Sequence, residues 1–310
     1  LATHHTPITV RTLAELWRIN RKLRNLSLGG GARGASNLAG LRAMFCSPFS
    51  VLLIAFPLGI ASALCDWGAN PTFWLNFLAL IPIAKILGDA TEELDASLNN
   101  EILSGLINAS FGNAVEMIIT INALRANLAE VVKTSLLGSV LSNMLLVLGM
   151  SFFFGGILGT SGSKMRLVKE KEQSFIAEGA MCSVTMLLLS SLSFTLPTVF
   201  VVMGHEEHIL PLSRAGSCII MVSYGAYLFF QLYTHREHMA GSESEGGSGE
   251  EDSPGMQMWL AMVLLFGATI CTAISSEFLV DAVEAVVANS PLSEAFIGVI
   301  LLPIVGNACE

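Results

Sequence analysis

Eight stretches of this chain are apolar over the length a lipid bilayer demands, and no other feature limits its fold so much. A helix needs about 20 mostly apolar residues to cross the hydrocarbon core. Such runs lie near residues 49–65, 73–90, 104–124, 131–154, 175–203, 213–233, 257–280 and 294–310. Backbone groups in lipid must be satisfied within their own segment, and the alternation of a barrel strand is missing from these runs, so each reads as a helix. With 53% hydrophobic and 13% charged residues, the 310-residue chain is too apolar for an ordinary soluble domain. The expected fold is all-α, a polytopic membrane helical bundle.

The net charge of −9 is local rather than spread over a surface. Seven Arg and Lys between Arg11 and Arg42, four between Lys164 and Lys171, and Arg236 fall on one side of the eight-helix layout; Arg125, Lys133 and Arg214 fall on the other. Excess cations mark the cytosolic side, so the N-terminus is expected there. Residues 1–48 hold one acid, Glu15, which leaves a transit peptide open; since the sequence opens on Leu1, its true start is expected to precede it. The run EHMAGSESEGGSGEEDSPG, residues 237–255, is a linker by composition. It reads as a solvated connector, with cation attraction or regulation as the alternative, and its acids are too loosely spaced for a calcium loop. The expected organisation is a basic cytosolic segment (1–48), a helix and loop (49–72), a five-span repeat (73–233), an acidic Gly/Ser-rich cytosolic linker (234–256) and an incomplete second repeat (257–310).

The repeat rests on a motif. FGNAVE ends at Glu116 and VGNACE ends at Glu310, each after a helix end bearing acids and a polar turn. Glu116 lies in the third span and Glu310 in the eighth, so the two motif helices cross in opposite senses, the arrangement of inverted repeats that meet around a midplane site. An acid inside the bilayer costs several kcal/mol and is functional by default. Asn113 and Asn307, one turn before each Glu, offer neutral amide oxygens. Gly112 and Gly306 permit either close helix approach or a local break that frees carbonyls. Carboxylates, amide oxygens and carbonyls suit a hard cation such as calcium, whereas the thiolate and imidazole that zinc or copper would favour are missing from the set.

Other polar residues are weighed against blander readings. Ser135, Ser139, Ser142 and Asn143 share one face of the fourth span and either bond neighbouring helices or line an ion path. Asp89, Glu92 and Glu93 share a face, as do Glu277, Asp281 and Glu284; both groups are either cation-collecting or interfacial, and Lys85 neutralises Asp89. HEEH at 205–208 fits neither HExxH nor HxxEH and reads as a loop. Asn108, in a glycosylation sequon, lies within a span and is expected unmodified. The six cysteines stand singly and read as packing residues. GGGARG lacks the GK[ST] of a phosphate loop.

GLINASFGNAVEMI, SLLGSVLSNMLLVLG, ATEEL, SEFLVDAVE and IGVILLPIVGNACE together resemble the cation/proton exchanger family of vacuolar calcium antiporters, within the calcium/cation antiporter superfamily. The resemblance covers roughly residues 45–310. It implies that Glu116 and Glu310 carry cation and proton, that Asn113 and Asn307 stand beside them, and that Glu92 and Glu277 are supporting acids. It also implies that three helices of the family follow the last one here, so the chain is expected to be a fragment of an exchanger.

The expected function is proton-coupled calcium antiport, with manganese as a second substrate, across a vacuolar or other acidic endomembrane. Burial favours a protonated Glu and a bound divalent cation favours the ionised one, so the two exclude each other as the repeats rock between inward and outward states. The alternatives are a cation channel, or a calcium/cation antiporter without proton coupling. No enzyme is expected, since neither a catalytic metal motif nor a nucleophile with its base stands out. No bound cofactor is expected beyond transported Ca2+, H+ and Mn2+. Partners are membrane lipid, calcium and protons, without nucleic acid, and assembly into a homo-oligomer is allowed.

Overall fold

The structure, a computed structural model, describes residues 37–46, 48–98, 101–158, 177–204, 206–230, 233 and 256–307. The described residues contain helices and no strand. In chain order these are α1 (Asn37–Phe45), a 3-10 segment (Pro48–Ile54), α2 (Ala55–Leu64), α3 (Ala69–Ser97), α4 (Glu101–Phe111), α5 (Ala114–Arg125), α6 (Ala129–Ser142), a π turn (Asn143–Val147) and α7 (Leu148–Leu158). There follow α8 (Ala177–Val202), a 3-10 turn (Glu206–His208), α9 (Ile209–Phe229), α10 (Met258–Asn289), α11 (Glu294–Phe296), a second π turn (Ile297–Leu301) and α12 (Leu302–Gly306). Packing separates one unit, holding the helices up to Gly155 and those from Met258 onward, from a second unit built on α8 and α9.

Among the described residues five helical runs are long and apolar enough to cross a membrane: Ala69–Ser97, Ala129–Phe153, Ala180–Val202, Ile209–Phe229 and Met258–Asn289. Where the expected spans fall on described residues, they lie almost wholly in helix. Two outrun their expected ends, because hydropathy marks where lipid-compatible residues stop and not where the helix does. Leu, Ala and Glu carry α3 to Ser97 and α10 to Asn289. The expected third span is instead two helices, α4 and α5, parted at Gly112 and Asn113.

The first unit is built on α3 and α10. On α3 the buried Phe73, Asn76, Leu80, Ile83, Leu87, Ala90 and Leu94 recur at alternating steps of three and four; on α10, Ala261, Leu265, Ala268, Thr272, Ser275, Leu279, Ala282 and Val286 do the same. That period is the seam of a coiled coil. The pair is antiparallel: Phe73, Phe77 and Leu80 share a core with Leu279, Val283 and Val286, while Ile83, Leu87 and Leu94 share another with Met256, Ala261 and Leu265. Hydrogen bonds fix the start of α10 beside the end of α3. The Met256 amide donates to Glu93 Oε2 at 3.2 Å, the Asn37 amide donates to Gln257 Oε1 at 3.1 Å, and the Gln257 backbone N–H returns a bond to Asn37 Oδ1 at 3.0 Å.

A short hairpin sets α5 against α6. Asn127 takes a left-handed conformation, φ 61°, its N–H bonds Leu124 O at 3.1 Å, and the Leu128 N–H bonds Ala123 O at 2.9 Å. This closes α5 with a Schellman motif, Asn standing where Gly is commoner. Helix α6 then crosses the helical run 294–306, whose first turn is capped by Ser293 Oγ accepting from the Phe296 N–H at 3.1 Å. The crossing is close: a Cβ on Gly138 would lie 2.5 Å from the Val299 carbonyl oxygen, and one on Gly298 would meet Thr134 Oγ1.

In the second unit α8 and α9 pack together, joined through Gly204 (φ 77°) and the Glu206–His208 turn, with His208 Nε2 3.5 Å from Glu207 Oε1 at an exposed position. His205 of the HEEH run lies outside the described residues.

Candidate functional site: a buried carboxylate between two motif copies

The first motif copy interrupts its helix. The Gly112 N–H still bonds Asn108 O at 2.9 Å, but Asn113 turns to φ −105°, ψ 18°, and α5 begins at Ala114 with Glu116 in its first turn. The second copy turns at the equivalent residue: α12 ends at Gly306 and Asn307 adopts φ −90°, ψ 13°. Asn113 and Asn307, at the same place in the two GNA stretches, thus adopt nearly the same backbone turn. The helix is interrupted just after Gly112, and Gly306 is a point of close approach.

Glu116 is buried, and its carboxyl group rests on the backbone of the other copy. A Cβ on Gly306 would fall 2.6 Å from Glu116 Oε1, 2.8 Å from Cδ and 2.9 Å from Cγ, so only glycine leaves room for the carboxylate. Ser139 of α6 donates to Oε1 at 3.1 Å. The second oxygen, Oε2, is buried without a protein partner. Asn307 is buried too, and neither atom of its amide has a partner; Ser142 Oγ and Asn143 Oδ1 are likewise buried and unmatched. Orphaned polar atoms are rare in proteins and call for water or an ion. A cavity of 390 Å3 between α5 and α6 is lined by Asn113, Glu116, Thr120 and Ser139 among the apolar Met117, Ile121, Leu136 and Val140.

The sequence-derived residues separate accordingly. Glu116, Gly306 and Ser139 meet directly, and Asn113, whose side chain does not cap α5, shares their cavity. Glu92 is exposed on α3. Glu277 is exposed on α10 and lines a different cavity of 180 Å3 with Asn122, Arg125 and Asp281. Lys85 and Asp89 form an ion pair on α3. Glu310 lies outside the described residues, as does the linker 237–255. Among the described residues no three His, Cys, Asp or Glu converge, and the polar residues that line the cavity beside Glu116 are Asn113, Thr120 and Ser139.

Two features escaped the sequence reading. Asn122 donates to Ser276 Oγ at 2.6 Å and to Ala273 O at 3.3 Å, tying α5 to α10; the signal was an Asn inside an apolar span. Gly138 and Gly298 mark the crossing of α6, visible beforehand only as small residues in apolar helices.

Residues 71–233 match the sodium/calcium exchanger protein family. The chain is 37% identical to vacuolar cation/proton exchanger 2 of Arabidopsis thaliana over 86% of its own length and 60% of that protein. It is 39% identical to vacuolar cation/proton exchanger 3 of Oryza sativa subsp. japonica (86% and 64%), and 34% identical to the vacuolar calcium ion transporter of Schizosaccharomyces pombe (86% and 63%). It spans less than two thirds of the length of these curated relatives. The crystal structure of selenium-substituted Ca2+/H+ antiporter protein YfkE superposes with a TM-score of 0.66 at 33% identity, over 84% of this chain and 69% of that one. With the family match over more than half of its length and a fold shared at 33% identity, the chain belongs to the sodium/calcium exchanger protein family.

Proposed function

We propose that this chain carries the cation site of a proton-coupled calcium antiporter of a vacuolar or other acidic endomembrane, with manganese as a second cation. The observation that supports it most is the Glu116 carboxyl group, seated on Gly306, held at one oxygen by Ser139 and unmatched at the other. A buried carboxylate needs a counter-charge or a proton. Among the described residues no basic side chain lines its cavity. A divalent cation meets the need in one way and a proton in the other, and the two cannot do so together, which makes the site an exchanger. The surrounding hydroxyl and amide oxygens suit calcium and accept manganese. Glu310, following Asn307 in the second copy, is the counterpart carboxylate, and the two copies act as inverted repeats that expose the site to alternate sides.

Replacing Glu116 by Gln tests this directly, because shape is kept and the titratable charge is lost. Proton-driven calcium uptake into liposomes is expected to fall at least about a hundredfold, while the protein still inserts. Uptake at the wild-type rate would sink the proposal. Uptake by wild-type protein driven by sodium and indifferent to the proton gradient would replace it with a sodium-coupled exchanger, and flux without coupling to either would make it a channel. The proposed orientation puts residues 1–48 and 237–255 on the cytosolic side. Protease added outside sealed vacuolar vesicles is expected to cut both segments; cleavage of only one would overturn the topology.

A further inference from the structure

Threonine hydroxyls in helices usually bond back to the carbonyl four residues earlier. Seven of the described threonines do so: Thr72 to Gly68, Thr91 to Leu87, Thr134 to Glu130, Thr185 to Met181, Thr195 to Ser191, Thr198 to Phe194 and Thr269 to Leu265, at 2.7–3.1 Å. Among the described threonines only Thr120 and Thr272 leave the hydroxyl buried with no partner. Thr272 is wholly enclosed in the α10 seam. Thr120 lines the 390 Å3 cavity that holds Glu116.

The two α5 residues are four apart, on one face, with Cβ atoms about 5–6 Å from each other. Both residues line the same cavity, and each carries a buried oxygen that the protein leaves unmatched, Glu116 Oε2 and Thr120 Oγ1. A hydroxyl that gives up its own helix carbonyl and finds no other protein atom is poised for something that enters the cavity. We propose that Thr120 is a further ligand of the transported cation: its hydroxyl oxygen coordinates calcium one helical turn beyond the Glu116 carboxylate, supplying a neutral oxygen of the kind calcium collects. The inference rests on the cation-site reading of Glu116 and adds a ligand that neither motif copy contains.

Two substitutions separate coordination from packing. Thr120→Val keeps the shape and loses the oxygen; Thr120→Ser keeps the oxygen and loses the methyl. Calcium binding to the purified wild-type protein and to each variant is measured by titration calorimetry in detergent, beside proton-driven uptake in liposomes at matched protein levels. Coordination predicts that Thr120→Val raises the calcium Kd about fivefold, the scale of one net polar interaction, while Thr120→Ser stays within twofold of wild type. The reverse order, with Ser worse than Val, assigns Thr120 to packing and overturns the proposal, and so does a Val variant that binds as wild type does. Wild-type protein that binds calcium but exchanges none for protons refutes the antiport reading while leaving the Val–Ser comparison decisive. Wild-type protein that binds no calcium refutes both.

Discussion

The two GNA motifs have the same letters and nearly the same backbone turn, yet they work in different surroundings. Gly112 and Asn113 are exposed at a helix break, while Gly306 and Asn307 are buried. A Cβ on Gly112 would press on its own chain, 2.7 Å from Asn108 O; one on Gly306 would press on a functional group of the other copy, the Glu116 carboxyl group. A repeated motif therefore need not repeat a role. The first copy shapes the path of its own helix, and the second forms the floor on which the first copy's acid rests.

The sharpest way to break this comparison is to add the same methyl to both glycines. Gly306→Ala is expected to displace Glu116 and reduce proton-driven calcium uptake by roughly a hundredfold, with the protein still folded. Gly112→Ala is expected to lower stability by about 1–3 kcal/mol through strain at the break, with uptake per folded molecule within about threefold of wild type. Thermal melting in detergent beside liposome uptake reads both, and equal losses of uptake would erase the distinction. The asparagines sharpen it further, with a smaller effect. Asn307→Ala removes a buried amide that has no protein partner, so stability should hold or rise while calcium affinity drops about tenfold. Asn113→Ala, at an exposed position on the cavity, should shift the ratio of calcium to manganese transport about threefold, in competition assays at matched protein levels. An unchanged ratio would make Asn113 a purely structural residue.

The fold was legible where physics acts along the chain. Bilayer thickness sets the length of an apolar run, so the spans could be located from hydropathy, although α3 and α10 run past those runs into Glu92, Glu93, Asp281 and Glu284. The seam between α3 and α10 was hidden by the same apolarity, since in a helix that is apolar all round no stripe stands out. Glu116 could be singled out because an intramembrane acid is expensive. That it would sit on Gly306 and bond Ser139 could not, because both contacts depend on how distant helices cross. Thr120 looked like any helical threonine until its hydroxyl was found without the usual carbonyl. The supporting acids show the converse: Glu92 and Glu277 share helix ends with other acids in the sequence, and neither lines the Glu116 cavity.

The seam between α3 and α10 also sets a timetable for biogenesis. Helix α3 ends at Ser97 and its partner does not begin until Met258, after four further apolar segments and the linker have been made. At about 5–20 residues per second, α3 emerges roughly ten to thirty seconds before α10 starts to follow it. Through that interval the fully buried Asn76 is held by what is already made, its amide donating to Thr72 O at 2.8 Å and packing where Gly59 of α2 leaves room, while the apolar seam residues of α3 wait for their partner. Its small, early partner α2 thus covers the polar part of α3 at once, and the apolar face left over is one that lipid can cover until the second half of the chain arrives.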